Sequence, residues 1–329
     1  MSTENRYTLA EYAQLAGVKG VQMDVVQTIE DTEPLFASAP LVRCNNGRVH
    51  MTQVITKYPV GQTRGFNQGV VAEKAASRVV MDTCAMMAMY NEIDVNIVRM
   101  NGDSAKWRAN EDKATVMGLT RTAADKIFNA SAKKDPNDFD GLRVRFNKIN
   151  GKNVLTAGGT GSDGDLEDIF LVNWGTNSVH LIYPEGGIAG LRQTFERNVD
   201  ARDEKNRIFK VDRTWYEWDM GLAVPDPAQV IRICNVPVTK ALNGRGTDGY
   251  DLIHALIQAS EALPNGVNPG AAIYMSRKMR TALRLQINDT PNVNLTWENV
   301  AGKEVVRWDN IAVHKVEDKI LTPYTTPIA

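Results

Sequence analysis

Residues 104–129, SAKWRANEDKATVMGLTRTAADKIFN, decide how the rest of the chain is read. Small or apolar side chains at Ala109, Val116, Met117, Thr120, Ala123, Ala124, Ile127 and Phe128 return every three or four positions. Lys106, Arg108, Glu111, Asp112 and Arg121 fill the intervening face, which is helical spacing. Asp103 or Ser104 can accept the first free amide hydrogens, no proline interrupts the run, and the segment from Ala130 to Pro136 stops it. At about 1.5 Å per residue the stretch makes a rod of roughly 39 Å. Gly118 weakens it by about 1 kcal/mol relative to alanine, which the apolar anchors outweigh. Val116, Met117, Ala124 and Phe128 are the positions expected to pack it. A rod of this length needs other structure along it.

Toward the N-terminus, Tyr7 to Leu15 and Val21 to Leu35 read as two short helices. Each is too short to stand alone, and Ala37 to Pro40 breaks the pattern, so residues 1–46 read as an N-terminal arm. Residues 47–82 read as a long hairpin: one extended run from Val49 to Thr56, a glycine-bearing tip from Gly61 to Gly69, and a second run near Ser77 to Met81. A lone two-stranded ribbon is marginally stable in water, so something must cover it. It either folds back on its own domain or lies on a neighbouring subunit. Apolar side chains at the tip, Val60, Phe66 and Val70, favour the neighbour, and with Arg64, Asn67 and Gln68 they form the expected contact. The sulfur-rich run from Ala85 to Tyr90 reads as core filler or adaptable contact surface, and Ile93 to Ile97 as a strand entering the rod. Residues 83–150 thus form one expected unit around the rod.

Beyond Gly151 the pattern changes. The run from Gly158 to Asp165 has no Lys-Ser or Lys-Thr after its glycines, and its aspartates would repel phosphate, so it reads as a mobile surface loop. Phe170 to Trp174 and Val179 to Tyr183 read as strands. Residues 194–224 read as a second ribbon, with a charged turn from Ala201 to Asn206 and an aromatic return strand. Val230 to Val236 and Gly270 to Met275 read as strands, with helices from Tyr250 to Leu263 (Ile253, Leu256, Ile257 and Leu263 inward) and from Ser276 to Ile287. A hairpin, Lys303 to Trp308 and Ile311 to Val316, closes the chain. Trp174, Tyr183, Trp215 and Trp218 are the expected core of this unit, residues 151–329. Strands and helices alternate irregularly without a repeat, so the class is α+β.

The 329 residues are 43% hydrophobic and 23% charged, enough for a sizeable core in two lobes. Lys plus Arg (38) nearly cancels Asp plus Glu (39), so charge does not draw the chain to nucleic acid or an anionic membrane. No apolar run is long enough to span a bilayer, and the polar start MSTENRYTLAEY lacks the apolar core of a signal peptide, which predicts a cytoplasmic protein. Cys44, Cys84 and Cys234 have no CxxC spacing and read as reduced, mostly buried thiols, with neither a zinc site nor a disulfide framework. His50, His180, His254 and His314 are scattered through apolar patterns and read as satisfied packing residues. No GxSxG or HExxH motif is present and no GxGxxG follows a first strand, so no catalytic, metal or cofactor residue is assigned and no enzyme is expected.

Three stretches together carry a resemblance: Asp168–Gly187 with Ala189–Leu191; Trp215–Leu222 with Val230–Asn235; and Ala272–Leu283 with Trp308–Val313. In this order the parts resemble the major capsid proteins of tailed bacteriophages, of the Hong Kong 97-type fold, and in particular a podophage family. The resemblance implies an N-terminal arm, an extended loop overlapping the next subunit, a spine helix in a peripheral domain, and an axial domain whose copies meet at capsomer centres. It implies pentamers and hexamers of an icosahedral head that encloses double-stranded DNA without sequence-specific binding. A separate scaffolding protein, a portal and a decoration protein are the implied partners, with assembly in the host cytoplasm and residence in the virion capsid. The shell of a cellular nanocompartment of the same fold is the alternative.

Overall fold

The computed structural model describes residue 29 and residues 33–100, 105–161, 166–246, 248–264, 266–288, 295–300 and 303–329. The expected helix Tyr7 to Leu15, nearly all of the expected helix Val21 to Leu35, the cap at Asp103 or Ser104, and the end of the Gly158 to Asp165 loop lie outside the described residues. The described chain begins with a short helix α1 (Leu35–Ser38) and a strand β1 (Leu41–Arg43), which the sequence reading had not separated from the arm. Strands β2 (Val49–Lys57) and β3 (Ala76–Thr83) form a two-stranded antiparallel sheet of their own. The methionine-rich run is strand β4 (Ala85–Asp94), with Ala85 and Met87 buried on one face and Met86 and Tyr90 exposed on the other, as the two-residue period of a strand requires, while Met89 carries the first face out into solvent.

The residues expected to continue this strand do not. Val95–Met100 is helix α2, because the Asp94 carboxylate accepts the Asn96 amide hydrogen at 2.7 Å and so starts a helix where β4 ends. The rod is helix α3 (Ala105–Asn129), about 37 Å long at ~1.5 Å per residue. Val116, Leu119, Thr120, Ala123, Ala124, Ile127 and Phe128 are buried and Met117 is half-buried. Thr120 donates its hydroxyl hydrogen to the Val116 carbonyl at 2.8 Å, so its buried polar atom is satisfied within the helix. After α3 the chain turns back over its end into α4 (Leu142–Arg145). A Cβ on Gly141 would stand 2.8 Å from the carbonyl oxygens of Lys126 and Phe128, so only glycine lets the two backbones approach.

Two sheets carry the rest. Strands β7 (His180–Tyr183), β8 (Arg192–Arg202) and β9 (Ile208–Ala223) join β1 and β4 in a five-stranded sheet, in the order β1-β7-β9-β4 with β8 also on β9. The boundary expected at residue 150 is therefore not a sheet boundary. Along β9, Thr214, Tyr216, Trp218 and Met220 are buried, while Arg213, Trp215, Glu217 and Asp219 are only partly covered. Trp218 packs against Phe36 of α1, with ring centroids 4.9 Å apart. Trp215, three positions away, falls on the opposite face and stacks at 5.7 Å on the exposed ring of Tyr90, so it is not the core residue expected.

The second sheet has seven strands, in the order β12 (Leu295–Val300), β13 (Lys303–Trp308), β14 (Ile311–Val316), β11 (Ala271–Ser276), β6 (Leu166–Asn173), β10 (Val230–Pro237), β5 (Val154–Thr156). Every residue of β6, β10 and β11 is buried, which fits a sheet covered on both faces. On one side Phe170, Val172 and Tyr274 meet α3, with Phe128 5.5 Å from the Phe170 ring and 5.9 Å from that of Tyr274. Trp174 closes this layer and donates its indole hydrogen to the Tyr274 hydroxyl at 2.7 Å. On the other side lie α5 (Val238–Leu242), α6 (Leu252–Glu261) and α7 (Arg277–Asn288). Within α6, Leu252, Ile253, Leu256 and Ala259 face the sheet, whereas Ile257, expected inward, is exposed because it lies one residue past the buried stripe.

One buried ionic group ties these layers together. Asp168 of β6 is inaccessible to solvent and accepts from Arg143 Nε (2.8 Å), Arg232 Nε and Nη2 (3.1 and 2.7 Å) and the Tyr324 hydroxyl (2.8 Å). It thereby joins α4, β10 and the C-terminal tail, whose Tyr324 also bridges to Leu166.

Candidate assembly interface

The ribbon of β2 and β3 stands apart from both sheets except at its root. Its register pairs Val49 with Thr83, Met51 with Met81 and Gln53 with Val79, and it shifts between Ile55 and Lys57. Met51, Ile55, Val79 and Met81 consequently share one face, and all four are exposed. Thr52, Val54 and Val80 on the opposite face are partly covered. An apolar face this regular has no cover among the described residues.

Residues 58–75 cross the end of the ribbon without regular structure. Three side-chain hydrogen bonds shape the tip: Val60 N to Glu73 Oε2 (2.9 Å), Gly65 N to Gln68 Oε1 (3.2 Å) and Val71 N to Gln62 Oε1 (3.4 Å). Asn67 takes a left-handed backbone, φ 60°, at the sharpest point. Val60, Arg64, Phe66, Asn67, Gln68 and Val70 are all exposed here, and the Phe66 ring is as accessible as in an extended peptide. Tyr58 and Val71 add to the same surface and were missed by the sequence reading, which took only Val60 and Val70 beyond the flanking glycines.

The root is fixed in several ways. Gly221 of β9 lets the ribbon approach, since a Cβ there would meet the Thr83 carbonyl oxygen at 2.4 Å. Asp82 pairs with Arg145 at 2.7 Å and accepts the Val224 amide at 3.3 Å, while Arg48 donates to the Cys84 carbonyl at 3.3 Å. His50 and His180 meet edge to face with centroids 5.2 Å apart. Burial, and then the charge of His50, push His180 down to about 4 against the pull of the Gly175 backbone; neither ring nitrogen makes a hydrogen bond of good geometry, so the ring is buried without being satisfied as expected. Burial also lowers His50, against the pull of Asp82. His314 fits the expectation better: it lies 3.0 Å from the Ser38 hydroxyl and stacks on Tyr274, whereas His254 is exposed.

Cys44 and Cys84 also meet at the root, with sulfurs 3.4 Å apart, in a small buried cluster with Ile182 and Ala223. Their hydrogen bond favours the Cys44 thiolate and disfavours that of Cys84, whose thiol burial raises further. All three cysteines are free and buried.

Of the residues expected as one C-terminal core, Trp174 and Trp218 belong to one continuous buried cluster, which also takes in α3. Trp174 is buried between α3 and the seven-stranded sheet, Trp218 is buried in the five-stranded sheet, and Tyr183 is half-buried on β7. A second projection, the outer end of β8 and β9, turns at Asp203–Arg207 and exposes Phe195, Ile208 and Phe209. It is braced to α3 by Arg108, which pairs with Asp212 at 2.9 Å and lies 4.1 Å over the Phe195 ring. Among the described residues no group of three or more His, Cys, Asp or Glu side chains is placed to hold a metal, and no helix is long and apolar enough to cross a membrane.

A family model described as major capsid protein GP7 matches residues 17–323. Among solved structures, a chain of bacteriophage Epsilon15 is similar at 24% identity, with 88% of each chain covered and a TM-score of 0.66. The bacteriophage JBD30 capsid is similar at 8% identity over 86% of this chain and 89% of its own, TM-score 0.47. The SrpI encapsulin of Synechococcus elongatus PCC 7942 is similar at 11% identity over 65% and 90%, TM-score 0.44. No curated protein sequence matches.

Proposed function

The chain belongs to the major capsid protein GP7 family, and from that premise we propose that its copies close into an icosahedral tailed-phage head of pentamers and hexamers around double-stranded DNA. The ribbon carries this reading: Met51, Ile55, Val79 and Met81 along one face, and Val60, Phe66 and Val70 at the tip, have no cover within the described chain. Such a surface gains from a second copy what it lacks alone. The tip, with Arg64, Asn67 and Gln68, is the part that overlaps the next subunit.

In this assignment residues 1–46 are the N-terminal arm and residues 47–82 the extended loop. The peripheral domain is built on α3 and β4 together with the strands that pair with β4. The axial domain is the seven-stranded sheet with α5, α6 and α7. The activity is self-association and not turnover. A net charge of -1 suits a surface that packs against many copies of itself and encloses DNA without reading its sequence. A separate scaffolding protein and a portal are the partners such a shell requires, a decoration protein is a further one, and assembly takes place in the host cytoplasm.

Deleting Gly61 to Gly69 tests the assignment. The variant is expected to fold and to fail to close shells in electron micrographs; normal shells from it would refute the role of the tip. The contents of wild-type particles, DNA as against a packaged enzyme, separate a phage head from a nanocompartment.

A further inference from the structure

We propose that Cys44 and Cys84 are a disulfide-forming pair that staples the root of the ribbon. Their sulfurs are in contact at 3.4 Å, both side chains are buried, and they stand at the two points where the projection leaves the body. Both backbones are held in place: the Cys44 amide donates to the Tyr183 carbonyl at 2.9 Å and the Cys84 amide to the Arg48 carbonyl at 3.0 Å. A bond of ~2.05 Å therefore asks for side-chain rotation and a small shift, not for rearranged strands. The third thiol, Cys234, lies in β10 in the other sheet and belongs to a different buried cluster. Covalent closure would enclose the whole projection, residues 45–83, in one loop.

The chemistry needs a co-reactant, and a small-molecule disulfide such as oxidised glutathione supplies it. The Cys44 thiolate attacks one glutathione sulfur, forming a mixed disulfide and releasing one glutathione thiolate, which takes up a proton. The Cys84 thiolate then attacks the Cys44 sulfur, forming the protein disulfide and releasing the second glutathione, again protonated. The two protein thiols lose two electrons and two protons, and the glutathione disulfide gains both. Either thiol can donate to the other's sulfur, so the two cysteines can exchange roles in these steps with the same product. Burial means that the exchange proceeds through opening of the root. If the chain forms a phage head assembled in the host cytoplasm, as proposed above, its release takes it from a reducing to an oxidising medium, and the staple would follow assembly. The pairing itself does not rest on that reading.

The test uses the full, unassembled chain, so its outcome is separate from that of shell formation. The chain is equilibrated across ratios of reduced and oxidised glutathione, with mild urea in a parallel series to open the root. It is then quenched with N-ethylmaleimide, unfolded and digested for mass spectrometry. The expected product joins the Cys44 and Cys84 peptides with a loss of ~2 Da for two hydrogens, and leaves Cys234 alkylated. Oxidation is expected to raise the melting temperature of the wild type and not that of Cys84→Ala, in which Cys44 keeps a glutathione adduct. Maleimide or glutathione on both Cys44 and Cys84 at every ratio in both series, or a linkage through Cys234, would overturn the proposal.

Discussion

Replacing Phe66 by alanine separates the stability of the subunit from the stability of the shell. The ring is fully exposed at the ribbon tip, so the subunit alone loses no buried contact, and a surface change of this kind stays within about 0.5 kcal/mol. If a second copy covers the ring, burying it contributes roughly 1.5–3 kcal/mol to each contact. At 1.4 kcal/mol per factor of ten, each contact weakens by roughly 10- to 150-fold. Light scattering over a concentration series should therefore show the assembly threshold of Phe66→Ala well above that of the wild type, while the urea midpoint of the unassembled subunit is unchanged. Phe36→Ala is the opposite control: Phe36 is buried against Trp218, and its loss should cost the subunit about 3–5 kcal/mol. An unchanged threshold for Phe66→Ala would refute the covered tip. A subunit destabilised as much as Phe36→Ala would show that the ring packs on its own body.

Asp168→Ala removes the acceptor from Arg232, which is itself buried, and should destabilise the subunit by about 3–5 kcal/mol in urea unfolding; a loss below about 1 kcal/mol would contradict the buried ionic group. Trp218→Ala should cost about 3–5 kcal/mol by opening a void, whereas Trp215→Ala, which loses the stack on Tyr90 at an open face, should cost about 1 kcal/mol; equal losses would undo the assignment of faces on β9. Acidification should destabilise the subunit between pH 6.5 and 4, because burial holds both His180 and His314 down to about 4. The unfolded chain then binds their protons first, at a cost of roughly 3 kcal/mol each by pH 4. Glu33 works against this: burial pushes it up to about 7, so the folded chain gains as pH falls from 7 to 4.5, offsetting about one of the two histidines. Melting curves from pH 7 to 4.5 check the sum, and a His314→Gln variant with the wild-type slope would rule out its share.

The sequence shows periodicity directly, and the parts of the fold that depend on periodicity were legible in it. The recurrence at Val116, Thr120, Ala123, Ile127 and Phe128 is the buried stripe of α3, and alternation located β2, β3 and the ribbon of β8 with β9. What it could not show were contacts set by chain separation. One carboxylate, that of Asp94, turns an apparent strand into α2. Cys44 and Cys84 are 40 residues apart and touch only because the ribbon begins and ends at one place. Asp168 collects partners from residues 143, 232 and 324, none of which marks itself as a neighbour.

Alternation has a further blind spot, and it bears on the site. The period that buries Trp218 within the subunit also sets Met51, Ile55, Val79 and Met81 on one face of the ribbon, and along the chain the two patterns look alike. In the proposed assembly both mark surface that leaves water, but neither pattern says against what. The register separates them: the Trp218 face meets α1 and the core beneath α3, whereas the ribbon face meets nothing in the described chain. Under the proposed function, sequence patterning records burial in the final assembly, and the folded monomer divides that record into the part it satisfies itself and the part left for another copy. A ribbon optimised only for the lone subunit would carry polar residues at 51, 55, 79 and 81, and substituting all four by threonine should leave the subunit folded while abolishing its association.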